Sequence, residues 1–154
     1  MKRVFVLAIC LGLLLIRTPA LYPHCEIPCG IYDDHMRAQM IEEHIATIEK
    51  GMKQIVELSA AGEKNYNQIV RWIMNKESHA AQLQEIVTQY FMHQRIKPAA
   101  PSEAEKYNDY RHKLELLHRM LVAAMKAKQS TDLEHVATLR RLLEEFNEAY
   151  FGEH

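Results

Sequence analysis

Past Asp33 the apolar residues fall at helical intervals. Ile41, Ile45, Ile48, Met52 and Ile55 are spaced by 4, 3, 4 and 3 residues, the stripe of a helix that buries one face against neighbours. Asp33 or Asp34 is placed to cap its start, and Gly62 interrupts the pattern. A second stripe, Ile69, Ile73, Ala80, Leu83, Val87 and Tyr90, predicts a helix from about Tyr66 to Arg95, ended by Pro98 and Pro101. Ser102 with Glu105 reads as a capping box opening a third helix on Tyr107, Tyr110, Leu114, Leu117, Leu121 and Ala124. Thr131 with Glu134 reads as another, opening a fourth helix on Leu133, Val136, Leu143, Phe146 and Tyr150. Connections this short make successive helices antiparallel neighbours, so residues 33–154 are expected to form an all-α, up-down antiparallel four-helix bundle.

Composition adds exclusions. The 154 residues carry a formal net charge of -1, which argues against a general nucleic-acid surface. Gly-rich phosphate loops, internal repeats and low-complexity tracts are absent from the sequence. The eight Met and seven Tyr are spread through the helical patterns, where they read as packing residues. Residues 1–23 differ: Lys2 and Arg3 precede an apolar run from Val4 to Ile16, then Arg17, Thr18, Pro19 and Ala20. A positive start, a short apolar run and small residues describe a cleaved leader, either a secretory signal or a propeptide. The run is short for a membrane span, so no stable span is expected after processing. A secretory leader would place the mature protein outside the cytoplasm, periplasmic or extracellular; a propeptide would leave it cytoplasmic.

Between leader and bundle lies the densest chemistry in the chain. Residues 24–32, His24-Cys25-Glu26-Ile27-Pro28-Cys29-Gly30-Ile31-Tyr32, gather an imidazole, two thiols and a phenol. Thiolates and imidazoles hold late first-row metals. Pro28 restricts the backbone before Cys29, and Gly30 permits a fold-back. Cleavage between Pro23 and His24 would add an α-amine beside the Cys25 amide, with an ordinary pKa of about 7.7–8.0. Amine, amide nitrogen and two thiolates form a planar N2S2 set of the kind that suits Ni(II) or Cu(II), and the His24 imidazole could swing in as an axial ligand. Three plainer readings stand beside this one. The cysteine pair of an exported protein is commonly a disulfide. Structural zinc needs four ligands, and no second pair is present. A thioredoxin-type motif has one residue fewer between its cysteines.

The stretch resembles the nickel hook of nickel-containing superoxide dismutases, whose pattern is His-Cys-x-x-Pro-Cys-Gly-x-Tyr. His24, Cys25, Pro28, Cys29, Gly30 and Tyr32 match all six fixed positions. The resemblance implies one Ni ion per subunit, held by the His24 amine, the Cys25 amide nitrogen and the Cys25 and Cys29 thiolates. It implies the His24 imidazole as axial ligand of the oxidised state and Tyr32 as a gate for small anions. The implied activity is dismutation of superoxide to dioxygen and hydrogen peroxide by Ni(II)/Ni(III) cycling. A homohexamer, a maturation protease and a nickel chaperone are the implied partners. The architecture expected is therefore a four-helix bundle with an N-terminal metal-binding hook.

Looser correspondences extend into the bundle. Tyr90-Phe91 resembles a family Tyr-Phe whose tyrosine contributes to the active-site entrance, and Arg71 falls where the family's second helix has an arginine. A first-helix carboxylate, Glu42 or Glu43, would support the axial imidazole. Elsewhere, Glu115-x-x-His118 has the spacing of a di-iron bundle, but that site needs a second Glu-x-x-His and two partner glutamates, and Asp132-x-x-His135 is a poor second because Asp132 reads as a helix cap. The remaining histidines read as surface or interface residues, with His35 and His44 nearest the hook, and Trp72 as a core or subunit-interface anchor. The rival reading is an exported helical protein whose hook chelates Ni or Cu, or closes as a disulfide, without catalysis.

Overall fold

Four helices follow in the order the stripes predict. The computed structural model describes residues 32–61 and 64–152. Helix α1 spans Asp34–Ala60, α2 Tyr66–Glu85, α3 Ala104–Gln129 and α4 Glu134–Phe151. Each helix packs on the next and α4 closes against α1, the square arrangement of an up-down bundle. No helix among the described residues is long and apolar enough to cross a membrane.

The α1 stripe is buried as expected, with Ile41, Ile45, Ile48 and Met52 fully enclosed. Asp33 is its cap, accepting the Met36 N–H at 2.9 Å and so satisfying one of the orphan donors of the first turn. In the core at the end of the bundle where α1 begins, Phe91 stands edge-on to Phe146 (centroids 5.0 Å apart, planes at 78°) and to Tyr150 (5.6 Å, 83°), the favoured geometry for ring quadrupoles.

Several expectations need correction. The second helix is not α-helical throughout: from Ile86 to Arg95 it continues as a π-helix, with Ile96 N–H bonded back to the Phe91 carbonyl. Thr88 donates its hydroxyl to the Gln84 and Glu85 carbonyls at the start of this segment, the kind of side-chain bond that perturbs an α-ladder. Ile73 is exposed, because α3 ends level with Lys76 and leaves the first turns of α2 uncovered on that side. Trp72 is half-exposed beneath the Lys50 ammonium, 5.7 Å from its ring centroid, and is not a core residue. In α3 the buried face is Leu116, Leu117, Met120, Ala123, Ala124 and Ala127, whereas Tyr107, Tyr110, Leu114 and Leu121 are peripheral. Half of that face is alanine, whose spacing carries little directional signal.

Neither capping box forms. Glu103 is the cap residue of α3 and makes no side-chain cap bond. At α4 the Asp132 carboxylate accepts the Glu134 N–H at 3.0 Å, in agreement with a capping role for Asp132, and Leu133 stays exposed ahead of the first turn.

One close approach is decisive for the α1–α2 pair. A Cβ on buried Gly51 would lie 3.2 Å from Lys76 Cβ and 3.5 Å from the Trp72 carbonyl oxygen. Lys76 itself is 3% exposed. Its ammonium donates to the carbonyls of Ala127 (2.7 Å), Lys128 (2.5 Å) and Ser130 (3.2 Å). A lysine of α2 thus satisfies the orphan carbonyls at the end of α3 and meets the negative end of its dipole.

Candidate metal centre

His24, Cys25 and Cys29 lie outside the described residues, so what can be built is the framework from which they extend. Tyr32 is the first described residue and is exposed, 42% accessible. It precedes the cap Asp33, and Asp34 opens α1.

Asp34 is the centre of a polar node joining three helical segments. Its Oδ1 accepts the Tyr90 hydroxyl at 2.5 Å, and its Oδ2 accepts the Tyr150 hydroxyl at 2.8 Å. Oδ2 also takes Arg95 Nε at 3.0 Å and the terminal Arg95 nitrogen at 2.7 Å. The Arg37 guanidinium lies 5.0 Å from the Tyr90 ring centroid, and the Lys113 ammonium 5.9 Å from that of Tyr150. Burial alone would raise the Asp34 pKa, but hydrogen bonds from Arg95, Tyr90 and Tyr150 outweigh it and hold the carboxyl below its ordinary value. Burial, then the bond to Asp34, pushes the Tyr150 phenol up to about 12 and the Tyr90 phenol higher still. The bond to Asp34 likewise raises Arg95, so the node persists as a carboxylate, a guanidinium and two neutral phenols.

A second polar contact lies deeper between α1 and α2. His44 is buried, and its Nδ1 is 2.9 Å from Nδ1 of His79. One nitrogen must carry the proton and the other the lone pair. Burial, then the neighbouring His79, lowers the His44 pKa, with Glu43 opposing.

The other predicted residues separate in space. Glu42 is held by Arg140 at 2.6 Å, and Arg140 also reaches Glu49 at 2.8 Å. Glu43 is exposed, and among the described residues its carboxylate has no hydrogen-bond or ion-pair partner. Arg71 is exposed, whereas Tyr90 is buried in the Asp34 node. His35 stacks on Phe151 (4.0 Å, 14°) at the edge of a cleft of about 590 Å³ between α1 and α4. Glu115 and His118 face solvent, with Glu115 3.7 Å from Arg119; a bundle-core di-iron site needs such residues pointing inward. Among the described residues no three His, Cys, Asp or Glu side chains lie close enough to hold a metal.

Sequence reasoning missed the roles of Arg95 and Tyr150 and treated Asp34 only as a cap. One signal was available: tyrosines on buried seams need a partner for each hydroxyl, and Asp34 is a carboxylate at the matching end of the bundle.

The described residues form an all-α bundle, and a thiol- and imidazole-rich segment precedes it in the sequence. The family model of nickel-containing superoxide dismutases matches residues 19–154. The chain belongs to that family, takes superoxide as substrate and uses nickel as cofactor. No curated protein and no solved structure matches it.

Proposed function

We propose that residues 24–32 are the nickel hook and that catalysis resides there. The observation carrying this reading is the match of His24, Cys25, Pro28, Cys29, Gly30 and Tyr32 to all six fixed positions of the hook. The donor chemistry fits the metal: two thiolates, an amide nitrogen and a terminal amine are the electron-rich set that favours a square-planar divalent nickel. Bound there, nickel supplies the Ni(II)/Ni(III) couple that takes one electron from one superoxide and returns it to a second.

The chain's own residues do the rest. Two superoxide anions and two protons become dioxygen and hydrogen peroxide, so the site must admit a small anion and deliver protons. The Cys25 and Cys29 thiolates and the His24 amine would hold the metal, and the His24 imidazole would supply a further nitrogen donor. Tyr32, next to the bundle and exposed, screens the site so that small anions enter and the oxidisable thiolates are shielded. Removal of residues 1–23 by a maturation protease frees the His24 amine, and a nickel chaperone loads the ion. The mature chain assembles as a homohexamer; exposed apolar Val70, Ile73 and Met74 on the uncovered start of α2 suit such burial. Export follows if the leader is a secretory signal.

Intact mass and N-terminal sequencing of the mature protein test the reading directly. A chain starting at His24 with one nickel per subunit is expected. A chain starting at Leu21 or Met1 would leave the hook without its amine donor and overturn it. Cys25→Ser and Cys29→Ser should each abolish nickel retention and dismutation, and activity surviving in either variant would do the same. His24→Gln should keep the planar donors while lowering turnover.

A further inference from the structure

In the sequence the hook runs through Tyr32 and Asp33 into Asp34, the first residue of α1. Asp34 is secured more heavily than a first-turn residue requires. Capping of α1 is already met by Asp33, yet Asp34 accepts four hydrogen bonds from Tyr90, Arg95 and Tyr150. Those partners come from the far end of the second helical segment and from the last turn of α4.

The spacing of two partners accounts for the unusual helix that carries them. Tyr90 and Arg95 are five residues apart, and on an α-helix that separation would point them ~140° apart. In the π-helical segment Ile86–Arg95, closed by i→i+5 bonds, residues five apart stand about one turn above one another. Both side chains then reach the same carboxylate. The irregular helix and the acidic node are one device.

We propose that Asp34 is a positioning residue for the metal hook, and that the π-helical register of residues 86–95 serves to bring Tyr90 and Arg95 together on its carboxylate. The role rests on the hook reading above. The role assigned to Asp34 is to fix the first turn of α1, and through Tyr32 the C-terminal anchor of the hook. Oδ2 takes both Arg95 nitrogens and the Tyr150 hydroxyl while Oδ1 takes the Tyr90 hydroxyl, so the carboxylate is held from several directions, whereas a plain cap tolerates rotation of the incoming chain.

The test uses the mature chain with Asp34→Asn, Asp34→Ala and Arg95→Lys, with Lys76→Met as a control that weakens the bundle far from the node. Hydrogen exchange of the metal-free proteins is read over residues 24–40 and over the rest of α1. Asp34→Asn should speed exchange of the Met36 and Arg37 amides, both bonded to Asp33, by at least ~tenfold, the weight of one charge-assisted hydrogen bond, and leave residues 45–58 unchanged. Arg95→Lys, which keeps the charge and loses the paired geometry, should fall between wild type and Asp34→Ala. Release of nickel to a chelator should accelerate in the same order, while Lys76→Met should lower the melting temperature without accelerating release. Exchange of the Met36 and Arg37 amides unchanged by Asp34→Asn would overturn the proposal. So would acceleration spread evenly through α1, because that is loss of stability and not of position. A wild-type chain that retains no nickel would sink the hook reading, and the exchange measurement would still judge the clamp.

Discussion

Replacing Lys76 by Met should cost the bundle about 3 kcal/mol. The side chain is 3% exposed, and its ammonium holds the carbonyls of Ala127, Lys128 and Ser130. Hydrogen bonds to a charged donor contribute roughly 1.5–3 kcal/mol each, so three give about 4–9 kcal/mol. Against this stands the cost of taking the ammonium out of water, several kcal/mol that Met does not incur. The Lys128 and Ser130 carbonyls lie in partly exposed residues and can recruit water after the change, while the Ala127 bond is buried. The net is therefore a loss of about 3 kcal/mol, with most of the penalty on the stranded Ala127 carbonyl. For a bundle of this size that corresponds to a fall in Tm of roughly 10–15 °C. Thermal unfolding followed by circular dichroism measures it, and Lys76→Gln, which keeps a donor without the charge, should lose about half as much. A Lys76→Met variant within about 1 kcal/mol of wild type would refute the reasoning, since ammonium desolvation would then cancel the bonds.

Two further outcomes follow from the α1–α2 contact. Gly51→Ala gains about 1 kcal/mol of helix propensity, but the new Cβ would sit 3.2 Å from Lys76 Cβ. Lys76 is pinned by three carbonyls and yields poorly, so stability should fall, by about 1 kcal/mol in chemical denaturation; a rise would show that the two helices can separate freely. The buried His44 contributes a pH dependence. Its pKa is lowered from 6.5 in the folded state, by burial first and by His79 second. The unfolded chain therefore binds that proton more readily, so the stabilisation is complete above pH 6.5 and is lost as pH falls below it toward the lowered value. Melting temperatures of wild type should drop across that window and those of His44→Gln should drop less; parallel curves would exclude His44 as the source.

Much of this molecule was legible before any coordinates. The steps of four and three along Ile41–Ile55 can be buried in only one way on a 3.6-residue helix, and Asp33 could satisfy orphan donors wherever the first helix packed. The proposed hook is likewise a reading of the sequence alone, because donors confined to nine residues are a matter of chain order and donor chemistry. The edges of the α2 and α3 stripes were not. Ile73 is apolar and in register, and only the place where α3 stops leaves it uncovered. Leu114 and Leu121 lose the core to alanines because the approach of two neighbouring helices, not side-chain size, selects the buried face.

What the tertiary structure alone decided is the long-range polar chemistry. Asp34, Tyr90, Arg95 and Tyr150 converge across separations of 56, 61 and 116 residues, and their meeting depends on a switch from i→i+4 to i→i+5 bonding that periodicity does not announce. His44 with His79, and Lys76 with the end of α3, are of the same kind. Local physics determines which residues can form helices and bind a metal in one short loop. Which buried charge meets which partner is settled when the helices pack, because the cost of leaving either one unpaired appears only after water is excluded.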